Sequence, residues 1–544
     1  MAIQISENGR LFTLHTKNSS YQMFADPFGT LLHLYYGKRT DGENLSDLIF
    51  RTDMGFSGNP PEAGSDRTYS LDYLPQELPS SGVGDYRDDC VRIRHADGSC
   101  AARFLFDSFQ VSKGSYSLPG MPALYDTDME TGETLTITLR EACSDVRVEL
   151  LYGVFEQADI ITRALKVWNG GQTPVELEKV LSMSMDIPFG DFDMIYFAGR
   201  HAMERTAERL PVRRAGVRIG GVRGTSSHQY NPAMILCSPN ADEDAGDCYG
   251  FCFVYSGNFT ASAQQDQRNQ TRIQMGIHPD FFSFRLAPGE VFCAPQVILS
   301  YSSRGLTALS RSYHRILREH MCRGPWKHAR RPVLINNWEA TYFDFNKEKL
   351  LAIASQAAKL GIEMLVLDDG WFGKRDDDNS GLGDWFVNTE KLGGTLTDLS
   401  EQIHRMGMKF GLWSEPEMVS EDSDLYRAHP DWALTIPGRE PNRGRNQLVL
   451  NMARPDVHDY LLERLTDILS NAKIDYVKWD MNRSICDIFS SCSGTEHTGE
   501  LYHRYVLGVY ELLEGFLARF PHILLEGCSG GGGRFDAAML YYSP

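Results

Sequence analysis

No run of apolar residues in this sequence approaches the length of a membrane-crossing helix. The opening stretch, MAIQISENGRLFTLHT, has no basic segment followed by an apolar one, so no secretory leader is expected. Cysteine is present eleven times, but the residues are scattered and form no C-x-x-C pair; the closest couples are Cys248/Cys252 and Cys486/Cys492. That pattern fits reduced thiols in a cytoplasmic protein better than a disulfide framework or a zinc site. Positive charge is in deficit: 54 Lys and Arg against 72 Asp and Glu leave a net charge of -18. Nucleic acid and anionic membrane surfaces are therefore poor partners. No histidine pair has zincin spacing, and no glycine run ends in the Gly-Lys-Ser/Thr of a phosphate loop. No metal or other cofactor is implied.

What the sequence does contain is enough apolar material for a large core. Its 544 residues are 42% hydrophobic and 23% charged, which suits a globular chain of two or three domains. Residues 1–304 read as a β-sandwich domain. Short β-branched and aromatic strands such as Leu135–Leu139, Val146–Tyr152 and Ile161–Val167 are separated by turn signals such as Ala96–Gly98 and Asn169–Gly171. His201, His228 and His278 stand isolated in it and read as structural. Residues 305–331 form a helical linker, because apolar residues there recur at helical spacing.

From residue 332 to 544 strands alternate with helices, which implies parallel β/α units. Five strands end in polar residues: near Trp338, at Asp368-Asp369-Gly370-Trp371, at Trp413-Ser414-Glu415-Pro416-Glu417, at Lys478/Asp480/Asn482 and at Cys528-Ser529-Gly530. No G-x-G-x-x-G turn follows the first strand, so a barrel is favoured over a dinucleotide-binding sheet. In a β/α barrel the strand C-termini form the catalytic face, and strand alternation points Lys478 and Asp480 the same way. Carboxylates, an ammonium and indoles pooled on one rim suit a sugar. A helix cap is an alternative reading for any one of these Asp residues, but not for all of them together.

Two other motifs fail on inspection. Gly527–Gly531 matches G-x-S-x-G, yet no histidine follows Ser529 as a serine-hydrolase triad requires. The run from Lys374 to Gly381 resembles a calcium loop at Asp376, Asp378 and Ser380, but its twelfth position is Val387 rather than Glu. It reads as a solvated acidic loop over the pocket.

The segments LDDGWF (367–372), GLWSEPE (411–417), GRNQLVL (444–450), KWDMNR (478–483) and CSGGGGR (528–534) resemble the α-galactosidases of glycoside hydrolase family 36. The resemblance covers nearly the whole chain. It implies an N-terminal β-supersandwich followed by a (β/α)8-type barrel, incomplete in this chain, and hydrolysis of terminal α-galactosyl residues in melibiose- or raffinose-type sugars. Asp480 would be the nucleophile that forms a covalent galactosyl-enzyme. Asp368 and Asp369 would bind the sugar hydroxyls, Trp413 would pack on the sugar, and Lys478, Cys528 and Gly530 would line its pocket. Arg445 and Asn482 would hold substrate or nucleophile. Family members are often oligomers, tetrameric at full length, in which an N-terminal loop reaches a neighbour's pocket. The stretch 51–56 is the candidate for that loop.

One departure qualifies the resemblance. The family's acid/base Asp lies on the sixth strand, just beyond the segment that here reads Met539–Tyr542, and no counterpart follows in the sequence. Asp536, the nearest carboxylate, is expected in the helix after strand five. The expectation is a truncated product with open sheet edges and weak turnover. Alternatives are a non-catalytic or defective sugar-binding homologue, an α-N-acetylgalactosaminidase, or a galactosyl-transferring enzyme.

Overall fold

The computed structural model describes residues 2–53, 55–226 and 228–544. Met54, inside the stretch read as a neighbour-reaching loop, lies outside the described residues. The chain separates into two compact units. One comprises Met1–Val222, His228–Met321 and Asp536–Ala538; the other comprises Arg223–Ser227, Cys322–Phe535 and Met539–Pro544.

The first unit is antiparallel β structure around a ten-stranded sheet, in which Glu133–Glu141, Val146–Phe155 and Ile160–Asn169 are consecutive neighbours. Alternation sets its faces: Leu135, Ile137 and Leu139 are buried while Thr136, Thr138 and Arg140 between them are more exposed. Two further sheets of four strands and one of three make up the rest. The N-terminal one packs on the large sheet through aromatic pairs, Tyr21 with Tyr152 and Tyr36 with Tyr249 and Tyr301. Buried charge here is paired: Arg163 and Glu77, both fully buried, meet at 2.7 Å, with His33 on the same carboxylate. His201 and His228 are not isolated, because their rings pack edge to face at 5.6 Å. The helix Gly305–His320, expected as a linker, is docked on this unit by Leu309 against Ile195, Cys237 and Cys248.

The second unit carries five parallel strands: β1 (Leu334–Asn336), β2 (Met364–Leu367), β3 (Lys409–Ser414), β4 (Tyr476–Trp479) and β5 (Leu524–Gly527). They pair in sequential order, β1 to β5. A doubly wound sheet reverses its strand order at a switch point, whereas a barrel winds one way throughout; this is the barrel pattern. Helices α1 (Lys347–Lys359), α2 (Leu396–Arg405), α3 (Pro455–Asn471) and α4 (Leu501–Arg519) form the crossovers. Their starts are written locally: Asn346 accepts from Lys349 N, Thr395 accepts from Asp398 N, and Pro455 opens α3.

Register divides the interior face of the sheet into layers. Val366, Gly411, Tyr476 and Leu524 are aligned across β2 to β5. Gly411 makes room for the Tyr476 ring, because a Cβ there would meet Tyr476 Cδ1 at 2.6 Å. Two residues further along, Trp413, Lys478 and Glu526 are aligned. The next step along each strand reaches Glu415, Asp480 and Cys528. The ladder persists to this level, since Asp480 N donates to Ser414 O at 2.8 Å and Cys528 N donates to Trp479 O at 2.7 Å.

Candidate active site

Asp480 occupies the uppermost of these layers and is 5% exposed. Its Oδ1 accepts from Met481 N at 2.9 Å and Gly530 N at 3.3 Å, and its Oδ2 from Trp413 Nε1 at 3.0 Å. Burial pushes the carboxyl upward, but the Lys478 ammonium and hydrogen bonds from Asn482, Trp413 and Cys528 outweigh it and hold it below the ordinary carboxylate value. The group is ionised at neutral pH, with its charge spread over preset donors. Cys528, beside it, is pushed to about 12 by burial and the Asp480 charge, and is a neutral thiol.

Lys478 lies one layer below and bridges two strand ends. Its Nζ donates to Asp368 Oδ2 at 3.1 Å. Burial works against its charge, but Asp368 and Asp480 together keep its pKa raised. Asp368 also accepts from Asn336 Nδ2 on β1, while its own N–H donates to Asn337 Oδ1 at 2.8 Å. Glu526 faces the same layer, raised by burial and by the Asp368 charge.

Asp369 turns away to a partner that the sequence reading assigned to a solvated loop. Arg375 is fully buried and grips it with two bonds, Nε to Oδ1 at 3.0 Å and Nη2 to Oδ2 at 2.9 Å. Its remaining Nη1 donates to Ser380 O at 3.0 Å. Burial nonetheless leaves the Asp369 carboxyl raised. The neighbouring Asp376 side chain stays 74% exposed, so the acidic run is solvated while the arginine inside it is not.

Three of the indoles at the strand ends are buried, whereas Trp338 is partly exposed. Trp371, Trp413 and Trp479 are exposed by 2% or less. Each uses its N–H inside the protein, on Trp413 O, Asp480 Oδ2 and Glu417 Oε1 respectively. Trp413 therefore serves Asp480 as a donor, with Phe372 stacked alongside its ring at 6.2 Å. Glu417, which the sequence did not single out, is fully buried and gathers Trp479 Nε1, Tyr505 OH at 2.7 Å and Arg534 Nη1 at 2.9 Å. It thus ties the end of β3 to α4 and to the glycine-rich run after β5. Ser529 donates to Met481 O at 2.7 Å and is an anchor, not a nucleophile.

Arg445 and Asn446 form the two central residues of a turn closed by Gln447 N on Gly444 O at 3.1 Å, both with positive φ, 52° and 58°. Two successive left-handed residues define the type I′ turn, which asparagine tolerates and arginine adopts at a cost. Arg445 is half-exposed, 3.6 Å from Asp378, and its charge is felt at Asp369 and at Glu415. Asp536, expected in the helix after strand five, instead precedes the helical turn Met539–Tyr542 and belongs to the first unit, where it is buried and accepts from Ser256 Oγ at 2.9 Å. Among the described residues, no group of three or more His, Cys, Asp or Glu is arranged to hold a metal ion.

Comparison with known proteins accounts for both units. Residues 29–287 match the glycosyl hydrolase family 36 N-terminal domain, and residues 291–544 match the melibiase domain. The bifunctional α-galactosidase/sucrose kinase AgaSK of Mediterraneibacter gnavus is 52% identical over the whole of this chain, which spans 57% of that protein. The α-galactosidase AgaA of Geobacillus stearothermophilus is 46% identical, again over the whole chain and 74% of the relative. A crystal structure of AgaB, a family 36 α-galactosidase from the same organism, superposes with a TM-score of 0.97 at 47% identity. It is matched over 100% of this chain and 74% of that one. The chain belongs to glycosyl hydrolase family 36.

Proposed function

We propose that this chain is a retaining α-galactosidase acting on terminal α-galactosyl residues of galacto-oligosaccharides. The observation that carries the reading is Asp480: a buried carboxylate kept ionised at the end of a parallel barrel strand, two residues above a lysine paired to Asp368. In this reading Asp480 attacks the anomeric carbon, the glycosidic oxygen leaves, and a galactosyl ester forms on Oδ1 or Oδ2; water later cleaves it with net retention. Asp368 and Asp369 accept from sugar hydroxyls, with Arg375 keeping Asp369 in place. Lys478, Cys528 and Gly530 line the pocket, Trp413 and Asn482 orient the nucleophile, and Arg445 reaches the substrate from its turn. A poor leaving group needs in addition a carboxyl that protonates the departing oxygen; the reading assigns that role to no described residue. Structures of the related AgaA with raffinose and with stachyose support α-galactosides as the substrate class.

The test uses a reagent whose leaving group needs no proton. Incubation with 2-deoxy-2-fluoro-α-galactosyl fluoride, followed by intact and peptide mass spectrometry, is expected to place one fluorogalactosyl group on Asp480. A folded chain that stays unlabelled, or one labelled elsewhere, overturns the reading. The same reading includes a cytoplasmic homo-oligomer, tetrameric at full length. Its neighbour-reaching stretch would be 51–56, where Phe56 is fully exposed. Native mass spectrometry decides that part.

A further inference from the structure

Glu415 stands one residue beyond β3, in the same interior layer as Asp480 and directly beside it in register. It is 1% exposed. One oxygen, Oε1, accepts both the backbone N–H of Asn482 and Gln447 Nε2, the latter at 2.9 Å. Each donor belongs to a segment that serves the site. Asn482 hydrogen-bonds the Asp480 carboxylate through its side chain. Gln447 closes the left-handed turn on which Arg445 sits, and is itself fully buried. Both segments have further backbone ties, Leu448 pairing with Val419 and Asp480 N donating to Ser414 O, but Glu415 Oε1 is an acceptor that the two share.

We propose that Glu415 is a positioning residue that sets the Asn482 contact on the nucleophile and the turn bearing Arg445 through this one oxygen. The inference rests on the galactoside reading of the site. Glu415 touches no sugar; it acts through the two segments. The charged groups around it are Asp480 at the end of β4, Asp369 after β2 and Arg445 on the turn. Burial and the Asp480 charge raise it to about 8, so it is a neutral acid at pH 7 and becomes a second anion beside Asp480 above that. The two N–H donors are met by the carbonyl oxygen of the neutral form. Glutamine has the same shape, the same accepting oxygen and no proton to lose; alanine has no acceptor.

The experiment is the rate of Asp480 labelling by 2-deoxy-2-fluoro-α-galactosyl fluoride on the full chain from neutral to alkaline pH, resolved into maximal rate and half-saturating concentration. The wild-type maximal rate is expected to fall above pH of about 8. Glu415→Gln is expected to label within about threefold of wild type at pH 7 and to lose the alkaline fall, while Glu415→Ala is at least about tenfold slower. Gln447→Met, which removes one donor and keeps the bulk, is expected to raise the half-saturating concentration with the maximal rate held. An alanine variant that matches wild type overturns the proposal, as does a glutamine variant as slow as the alanine one or an alkaline fall that persists in Glu415→Gln. Should Glu415→Ala fail to fold, the pH profile of Glu415→Gln and the split in Gln447→Met decide it. An unlabelled wild type removes the galactoside reading itself, and this inference with it.

Discussion

Arg375→Met is the most demanding test of how this site is held together. The substitution keeps most of the side-chain volume but deletes a guanidinium that is fully buried and makes a two-bond grip on Asp369, itself 3% exposed. Breaking one partner out of a buried ion pair strands the other charge and costs about 3–5 kcal/mol. The lower figure is more than about 100-fold in the folding equilibrium. Seven of the eight tryptophans lie in the second unit, Trp168 being the exception, so urea unfolding followed by tryptophan fluorescence reports on the right part of the chain. The sign of the pH dependence is also fixed. Burial already raises Asp369, and without Arg375 it rises further. The folded state then keeps a proton that the unfolded chain releases. The cost is therefore fully expressed above the raised pKa and shrinks as the pH falls toward the unfolded value of about 3.9. Asp369→Asn in the same chain removes the stranded charge and is expected to restore at least half of the loss. The reasoning fails if Arg375→Met costs less than about 1 kcal/mol, if its cost grows on acidification, or if the double variant is no more stable than the single one.

Three further outcomes are expected. Trp413→Phe removes the donor on Asp480 Oδ2 while keeping an aromatic ring; a charge-assisted bond of about 1.5–3 kcal/mol is lost. The Asp480 carboxyl then rises, and the acid limb of the labelling profile moves to higher pH; an unmoved limb contradicts the assignment. His503, buried on α4 and lowered to about 3 by burial and Arg504, is uncharged in the folded state. The unfolded chain takes up a proton below 6.5, so stability falls as the pH drops from there, by about 3 kcal/mol near pH 4.5. His503→Gln should flatten melting temperature against pH in that window, and an unchanged slope would sink the idea. Gly508→Ala puts a Cβ 1.7 Å from Met452 O and 2.6 Å from His458 Nε2, forcing α4 away from its neighbours. Although alanine is the better helix former, overpacking of about 3 kcal/mol should win and lower Tm by roughly 6–12 °C; a drop under roughly 2 °C refutes this.

Local pattern carried the architecture. The alternation of strand and helix after residue 332 is a short-range signal, and it marks elements that are there. The two-residue period of a strand was enough to put Lys478 and Asp480 on one face, because side-chain direction in a strand is a property of the backbone alone. What each side chain does on that face was not legible. Lys478 meets Asp368 across 110 residues of sequence, and Glu417 meets Arg534 across 117, distances over which spacing carries no information. The indoles looked like sugar platforms, but burial obliged the N–H groups of Trp371, Trp413 and Trp479 to find acceptors inside, and Trp413 found the Asp480 carboxylate. Arg375 sat in an acidic, apparently solvated run, and Glu415 was one carboxylate among several. Sequence by itself determined which strands form and which residues point into the barrel. Only the tertiary structure decided which buried charges meet, because a buried charge is stable only beside a partner, and that partner is set by the packing of the whole sheet.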